Sequence, residues 1–66
     1  MRFELNGESQ DVPEPLNVHE LLTRFGLSER RIAVAINAEV VPRSEFGRAE
    51  IREGDRIEVI QAVGGG

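Results

Sequence analysis

No cysteine occurs anywhere in the sequence. That excludes a disulfide framework and a thiolate metal site, so stability has to come from a packed core. Histidine occurs once, at His19, which leaves no histidine pair for a metal and no thiol for that imidazole to activate. No metal site is therefore expected, and His19 reads as a solvated helix residue. No apolar run approaches the roughly 20 residues that a membrane span needs. Met1 to Leu5 alternates charged and apolar residues and lacks the apolar stretch of a secretory signal. Basic residues are the minority, 8 against 12 acidic, for a formal charge of −4. A phosphate-backbone partner draws on a basic stripe, so no nucleic acid is expected. A partner with a basic face fits this charge. The expectation is a soluble cytoplasmic protein, not bound to a membrane.

What remains is one small unit of 66 residues, 39% of them apolar. Met1, Phe3 and Leu5 alternate with Arg2 and Glu4, the pattern of a half-buried strand. Asn6-Gly7 is the strongest two-residue hairpin signal. It returns the chain as a polar edge strand over Glu8 to Val12, which Pro13-Glu14-Pro15 stops because proline cannot donate to a ladder. Asn17 then opens a helix. It is a favoured N-cap, and Glu20 stands where a capping-box acid belongs. Val18, Leu21, Leu22 and Phe25 form the stripe that faces a core. Gly26 is the C′ residue, and Leu27 folds back over the last turn. Ser28-Glu29-Arg30-Arg31 is a polar connection.

Ile32 to Ile36 is the strongest strand, and Asn37-Ala38 turns it back into Glu39-Val40-Val41. A two-residue turn fixes the register, so Ile36 opposes Glu39, Ala35 opposes Val40 and Val34 opposes Val41. Ile32, Val34, Ile36 and Val41 then share the core face. Ala33, Ala35 and Val40 share the other face, where a solvated strand would normally carry charge. Pro42 ends the strand. Arg43 to Phe46 is one short turn with Phe46 tucked under the sheet, and Arg56 to Gln61 is the last strand. A hairpin, a crossover helix and a later strand lying parallel to the first make an α+β roll, a mixed sheet with one main helix packed on one face. The last strand should run beside the third, adding Ile60 to the apolar outer face, with Arg56 and Glu58 as its polar border. Such a patch is a candidate docking surface.

The chain ends on Gly64-Gly65-Gly66. Glycines bury no side chain and cost extra backbone entropy when ordered, so a fold gains little from this ending. A terminus that must thread a narrow site gains from having no Cβ. The carboxylate at its tip is ionised at neutral pH, because α-carboxyl groups titrate at roughly 3.3–3.7. The reading is a folded domain over 1–61 and a flexible reactive tail over 62–66.

Val18-His19-Glu20-Leu21-Leu22, Ala33-Val34-Ala35-Ile36-Asn37, Val41-Pro42-Arg43, Glu53-Gly54-Asp55 and Val63-Gly64-Gly65-Gly66, in this order, resemble the ThiS family of thiamin-biosynthesis sulfur carriers. The resemblance covers the whole length. Phe46 stands where that family often has tryptophan. The resemblance implies a ubiquitin-like β-grasp fold and a reacting group at Gly66, preceded by Gly65; Gly64 is additional to the family's minimal pair and, with Gly65, forms the side-chain-free tail expected to thread a partner's channel. It implies an E1-like adenylyltransferase that uses ATP, with no cofactor bound by the chain itself. A persulfide sulfur donor would convert the tail to a thiocarboxylate, and a thiazole synthase would accept the sulfur. The chain would act as a co-substrate rather than as an enzyme, and the apolar outer face read above, Ile60, Val40, Ala35 and Ala33, would be where its partners dock. The small subunit of molybdopterin synthase, another ubiquitin-like sulfur carrier and a non-catalytic ubiquitin-like binding module stay open as alternatives.

Overall fold

The structure is a computed structural model that describes residues 1–27 and 31–61. Ser28, Glu29 and Arg30 of the polar connection lie outside the described residues, as does the whole 62–66 tail. The elements are β1 (Arg2–Leu5), β2 (Glu8–Asp11), β3 (Leu16–Asn17), α1 (Val18–Arg24), β4 (Ile32–Ile36), β5 (Glu39–Val41), a 3-10 turn (Arg43–Glu45), β6 (Glu50–Ile51) and β7 (Arg56–Gln61).

Five strands form one mixed sheet in the order β2-β1-β7-β4-β5. The last strand is therefore central, parallel to β1 and antiparallel to β4. The β4–β5 register is the expected one, with Ile36 opposite Glu39, Ala35 opposite Val40 and Val34 opposite Val41. This is the ubiquitin-like β-grasp. Its core is one cluster: Phe3 and Leu5 from β1, Ile32 and Val34 from β4, and Ile57 and Val59 from β7 meet Val18, Leu21 and Leu22 of α1. Phe46 closes the core as expected. Ile36, Val41 and Phe25 are half-buried and pack against its rim.

The helix ends are specified locally. Glu20 N–H donates to Asn17 Oδ1 at 2.7 Å, and Asn17 N–H donates to Glu20 Oε1 at 2.9 Å, so two orphan amides are satisfied reciprocally. Asn17 Nδ2 also donates to the Gly47 carbonyl at 3.2 Å, which ties the cap to the turn after Phe46. At the other end Gly26 has φ of +70°. That left-handed residue lets Leu27 N–H reach the Leu22 carbonyl at 2.8 Å and Gly26 N–H reach the Thr23 carbonyl at 3.1 Å, a Schellman closure. Asn17→Ala is expected to lower stability by about 1 kcal/mol, the usual cost of losing such a cap. A urea midpoint equal to the parent's, at unchanged slope, would show that the cap contributes nothing.

Two features differ from the sequence reading. The second strand stops at Asp11, and Val12 is buried, its N–H donating to the Met1 carbonyl at 2.9 Å. In addition, β3 and β6 pair as a separate two-stranded ladder, Leu16 opposite Ile51 and Asn17 opposite Glu50. A two-residue strand carries too little alternation to be recognised. Its purpose is visible only in the fold, where Leu16 and Ile51 both reach the core.

Candidate functional site

Strand β7 places the site. It is hydrogen-bonded on both sides, by β1 and by β4, and its last residue Gln61 pairs with Ile32. The glycines start three residues later, so the chain leaves for its terminus from the middle of the sheet rather than from an edge. Gly64, Gly65 and Gly66 themselves lie outside the described residues.

Pairing in the sheet brings the expected outer-face residues together. Ala33 opposes Ile60, and Ala35 opposes Glu58 on one side and Val40 on the other. Ile60 is 63% exposed and Val40 75% exposed, the two large apolar side chains of the described residues left open to solvent. Neither is covered by the rest of the described residues. The alanines between them keep the surface low, so the patch is flat and a partner can reach its floor.

Charge borders the patch on the β1 side. Arg56 Nε lies 3.4 Å from Glu4 Oε2, and Arg2 lies 3.6 Å from Asp11. All four side chains are substantially exposed, so these pairs contribute little to stability. They can instead exchange partners with charges on a docking protein. The outer face is thus apolar over β4, β5 and the end of β7, and charged over β1, β2 and the start of β7.

No group of three His, Cys, Asp or Glu side chains among the described residues could hold a metal, and no polar side chain among them is buried. His19 sits on the exposed side of α1, and its backbone N–H donates to the Phe46 carbonyl at 3.1 Å. A shallow groove of about 520 Å³ runs past His19 between Glu14 and Arg24. Those two side chains form an ion pair across it.

The family model for ThiS matches residues 2–66, from the first strand through the last glycine. The chain belongs to the ThiS family. A crystal structure of the thiamine biosynthesis protein ThiS from Geobacter metallireducens superimposes with a TM-score of 0.86 at 33% identity, and each chain is covered completely. The sulfur carrier protein ThiS of Escherichia coli K12 is 30% identical over 66 residues, all of both chains. A thiazole synthase of Paramagnetospirillum magneticum is 33% identical over the same 66 residues, but this chain spans only 20% of that protein's length. The ThiS-like unit is therefore also found as one part of a larger protein.

Proposed function

We propose that this chain is a sulfur carrier of thiamin biosynthesis whose reacting group is the carboxylate of Gly66. The observation that carries this reading is the family match, which runs without interruption through the glycine tail. Support comes from the sulfur carrier of Escherichia coli, which aligns end to end with this chain.

The chemistry follows from a terminal carboxylate. An E1-like adenylyltransferase binds ATP, and a Gly66 carboxylate oxygen attacks the α-phosphorus with loss of pyrophosphate. The acyl-adenylate is a mixed anhydride with AMP as a good leaving group. A persulfide sulfur displaces AMP, and cleavage of its S–S bond by a thiol leaves a thiocarboxylate on the tail. A thiazole synthase then takes that sulfur. Thiazole synthases in which a unit like this chain is part of the same polypeptide support that acceptor. Gly64 and Gly65 serve as the side-chain-free segment that enters each partner's channel. The test is intact mass after incubation with an E1-like enzyme, ATP and a persulfide donor. A gain equal to replacing one oxygen by sulfur supports the reading, and an unchanged mass alongside a working control carrier overturns it.

Docking is assigned to the patch of Ala33, Ala35, Val40 and Ile60. Single exposed apolar residues are ordinary. Here two of them flank paired alanines on the strand that leads into the tail. Ile60→Glu is expected to keep the melting temperature, because the side chain is 63% exposed. It should weaken binding to the activating enzyme or the synthase. Calorimetric affinities equal to the parent's for both partners would remove the patch from the interface.

A further inference from the structure

Three asparagines stand in this chain, at positions 6, 17 and 37. Two of them hold strand β7 from opposite sides. Asn37 Oδ1 accepts the Arg56 N–H at 2.9 Å from the β4 side, and Asn6 Oδ1 accepts the Val59 N–H at 2.8 Å from the β1 side. Each opens a two-residue hairpin turn with positive φ, +50° at Asn6 and +51° at Asn37. Strand β1 ends at Leu5, so beyond that point the Asn6 side chain stands in for a ladder partner of β7. Asn6 N–H also donates to the Ile57 carbonyl at 2.9 Å.

The three differ in the residue that follows. An asparagine amide can be attacked by the main-chain nitrogen of the next residue, and a side chain on that residue shields the nitrogen. Asn17 precedes Val18, which is β-branched and fully buried. Asn37 precedes Ala38, and its own Nδ2 is held by Asp55 Oδ1 at 3.0 Å. Asn6 precedes Gly7, and both are exposed. Even a Cβ placed on Gly7 would meet no atom within 4 Å, so solvent has free access to this turn.

We propose that Asn6 is a deamidation site, held back by its bond to Val59 and, once converted to isoaspartate, released from β7. The Gly7 nitrogen gives its proton to solvent and attacks Asn6 Cγ. An N–C bond closes a succinimide ring, the Cγ–Nδ2 bond breaks, and Nδ2 takes a proton from solvent and leaves as ammonia. Water then opens the ring. Attack at Cγ gives aspartate, and attack at the Asn6 main-chain carbonyl carbon gives isoaspartate, whose main chain runs through Cβ and Cγ. One water is consumed, one ammonia is released, and nothing is oxidised or reduced. This chemistry needs only Asn6, Gly7 and water, and it is independent of the reaction proposed at Gly66.

The two products differ in what they do to the fold. Aspartate keeps an oxygen where Asn6 Oδ1 stood, so it still accepts the Val59 N–H. Isoaspartate adds a methylene to a two-residue turn whose length fixes the strand register, and it moves the free carboxylate onto Cα. The acceptor for Val59 is then lost. The same bond restrains the reaction beforehand. Ring closure turns the Asn6 side chain toward Gly7 and away from β7, which leaves the amide of a buried residue without an acceptor. That cost is expected to slow the folded chain by about tenfold or more.

The experiment holds the full chain in mildly alkaline buffer, folded in one arm and unfolded in guanidinium chloride in the other. Peptide mapping by mass spectrometry that separates asparagine, aspartate and isoaspartate follows each position. In the unfolded arm Asn6 is expected to convert ahead of Asn17 and Asn37. In the folded arm its conversion should be slower by about tenfold or more. The isoaspartate form, purified by ion exchange, is then compared with the parent, Asn6→Asp and Asn6→Gly by amide hydrogen exchange. Glycine keeps the positive φ of the turn and lacks the accepting oxygen. The Val59 amide is expected to exchange about tenfold faster than the parent's in the isoaspartate form and in Asn6→Gly, and like the parent's in Asn6→Asp. The Arg56 amide, held by Asn37, should be unchanged in all of them. Equal conversion of Asn6 in the folded and unfolded arms would overturn the proposal, as would an unfolded chain in which Asn6 does not lead. Parent-like Val59 exchange in the isoaspartate form would do the same. So would equal acceleration at Val59 and Arg56, which marks loss of the whole fold rather than release of one bond.

Discussion

A chain lacking Gly64, Gly65 and Gly66 is expected to melt like the parent and to give no ATP–pyrophosphate exchange with an E1-like activating enzyme. The melting temperature should hold because the three glycines carry no apolar side chain, and all thirteen buried apolar residues among the described residues lie from Phe3 to Val59. Exchange should vanish because the reacting carboxylate no longer reaches the nucleotide. The tail from Ala62 to Gly66 extends at most about 17 Å, at roughly 3.3–3.6 Å per residue. Attack on the α-phosphorus needs the carboxylate placed closely, and a misplacement of about 1 Å can cost on the order of 100-fold in rate. Deleting Gly66 alone shifts the carboxylate by a whole residue. With docking at Ile60 and Val40 as proposed, the body cannot follow freely, so exchange should fall, buffered in part because Gly64-Gly65 still ends the chain on two glycines. Gly65→Val keeps the length and adds a branched side chain at the tip. It is expected to fold normally and fail in adenylation. Parent-like exchange by Gly65→Val would remove the narrow-channel argument. Parent-like exchange by the chain without all three glycines would remove the carrier reading itself.

Leu22→Ala should destabilise the domain by about 2–5 kcal/mol, the range seen when a buried leucine is truncated. Leu22 is fully buried and sits at the centre of the apolar face of α1, between the sheet and the closing turn of the helix. Its carbonyl also accepts the Leu27 N–H, so the backbone there is held at the Schellman closure and has little freedom to collapse into the void. Domains have a total stability of only about 5–15 kcal/mol, and one of 66 residues falls toward the lower end. The substitution is therefore expected to leave a measurable unfolded population at ambient temperature. Urea unfolding followed by far-UV circular dichroism reads the effect. A midpoint equal to the parent's would mean that this side chain does not fill the core as described.

The two results separate tail from body. One variant loses chemistry at constant stability, and the other loses stability with the tail intact. Leu22→Ala protein that remains folded under assay conditions should still support exchange, because the proposed docking patch lies on the opposite sheet face. A carrier that depended on global rigidity would lose both together.

Local patterns carried much of this structure. The Asn17 and Glu20 pair, the Val18, Leu21 and Leu22 stripe and the Gly26 ending are all satisfied within α1 and its flanks, so their spacing alone specifies them. The β4–β5 register is equally local, because a two-residue turn leaves one pairing that keeps Val34 inside. Once that register is set, Ala33, Ala35 and Val40 must face outward, so the apolar outer face is legible in the residue order alone. The glycine tail is legible for the opposite reason. Three residues with no side chains bring no apolar surface to a core, which directs attention to their chemistry.

Other features depend on residues far apart in sequence. Asn37-Ala38 is a poor turn by composition, because Ala38 holds φ of +71°, where a Cβ is strained. The fold secures it from outside. Asn37 Oδ1 accepts from Arg56 N–H at 2.9 Å, Asn37 Nδ2 donates to Asp55 Oδ1 at 3.0 Å, and Asn37 N–H donates to the Arg56 carbonyl at 2.8 Å. Asn6 plays the same part at the other hairpin, accepting the Val59 N–H at 2.8 Å across 53 residues of chain. The β3–β6 ladder likewise joins segments that no periodicity links. By itself the sequence determined the longer elements and their faces, since each follows from neighbours within a turn or a hairpin. Only the tertiary structure decided which turns are clasped and which short segments pair, because those contacts exist only once β7 has settled between β1 and β4.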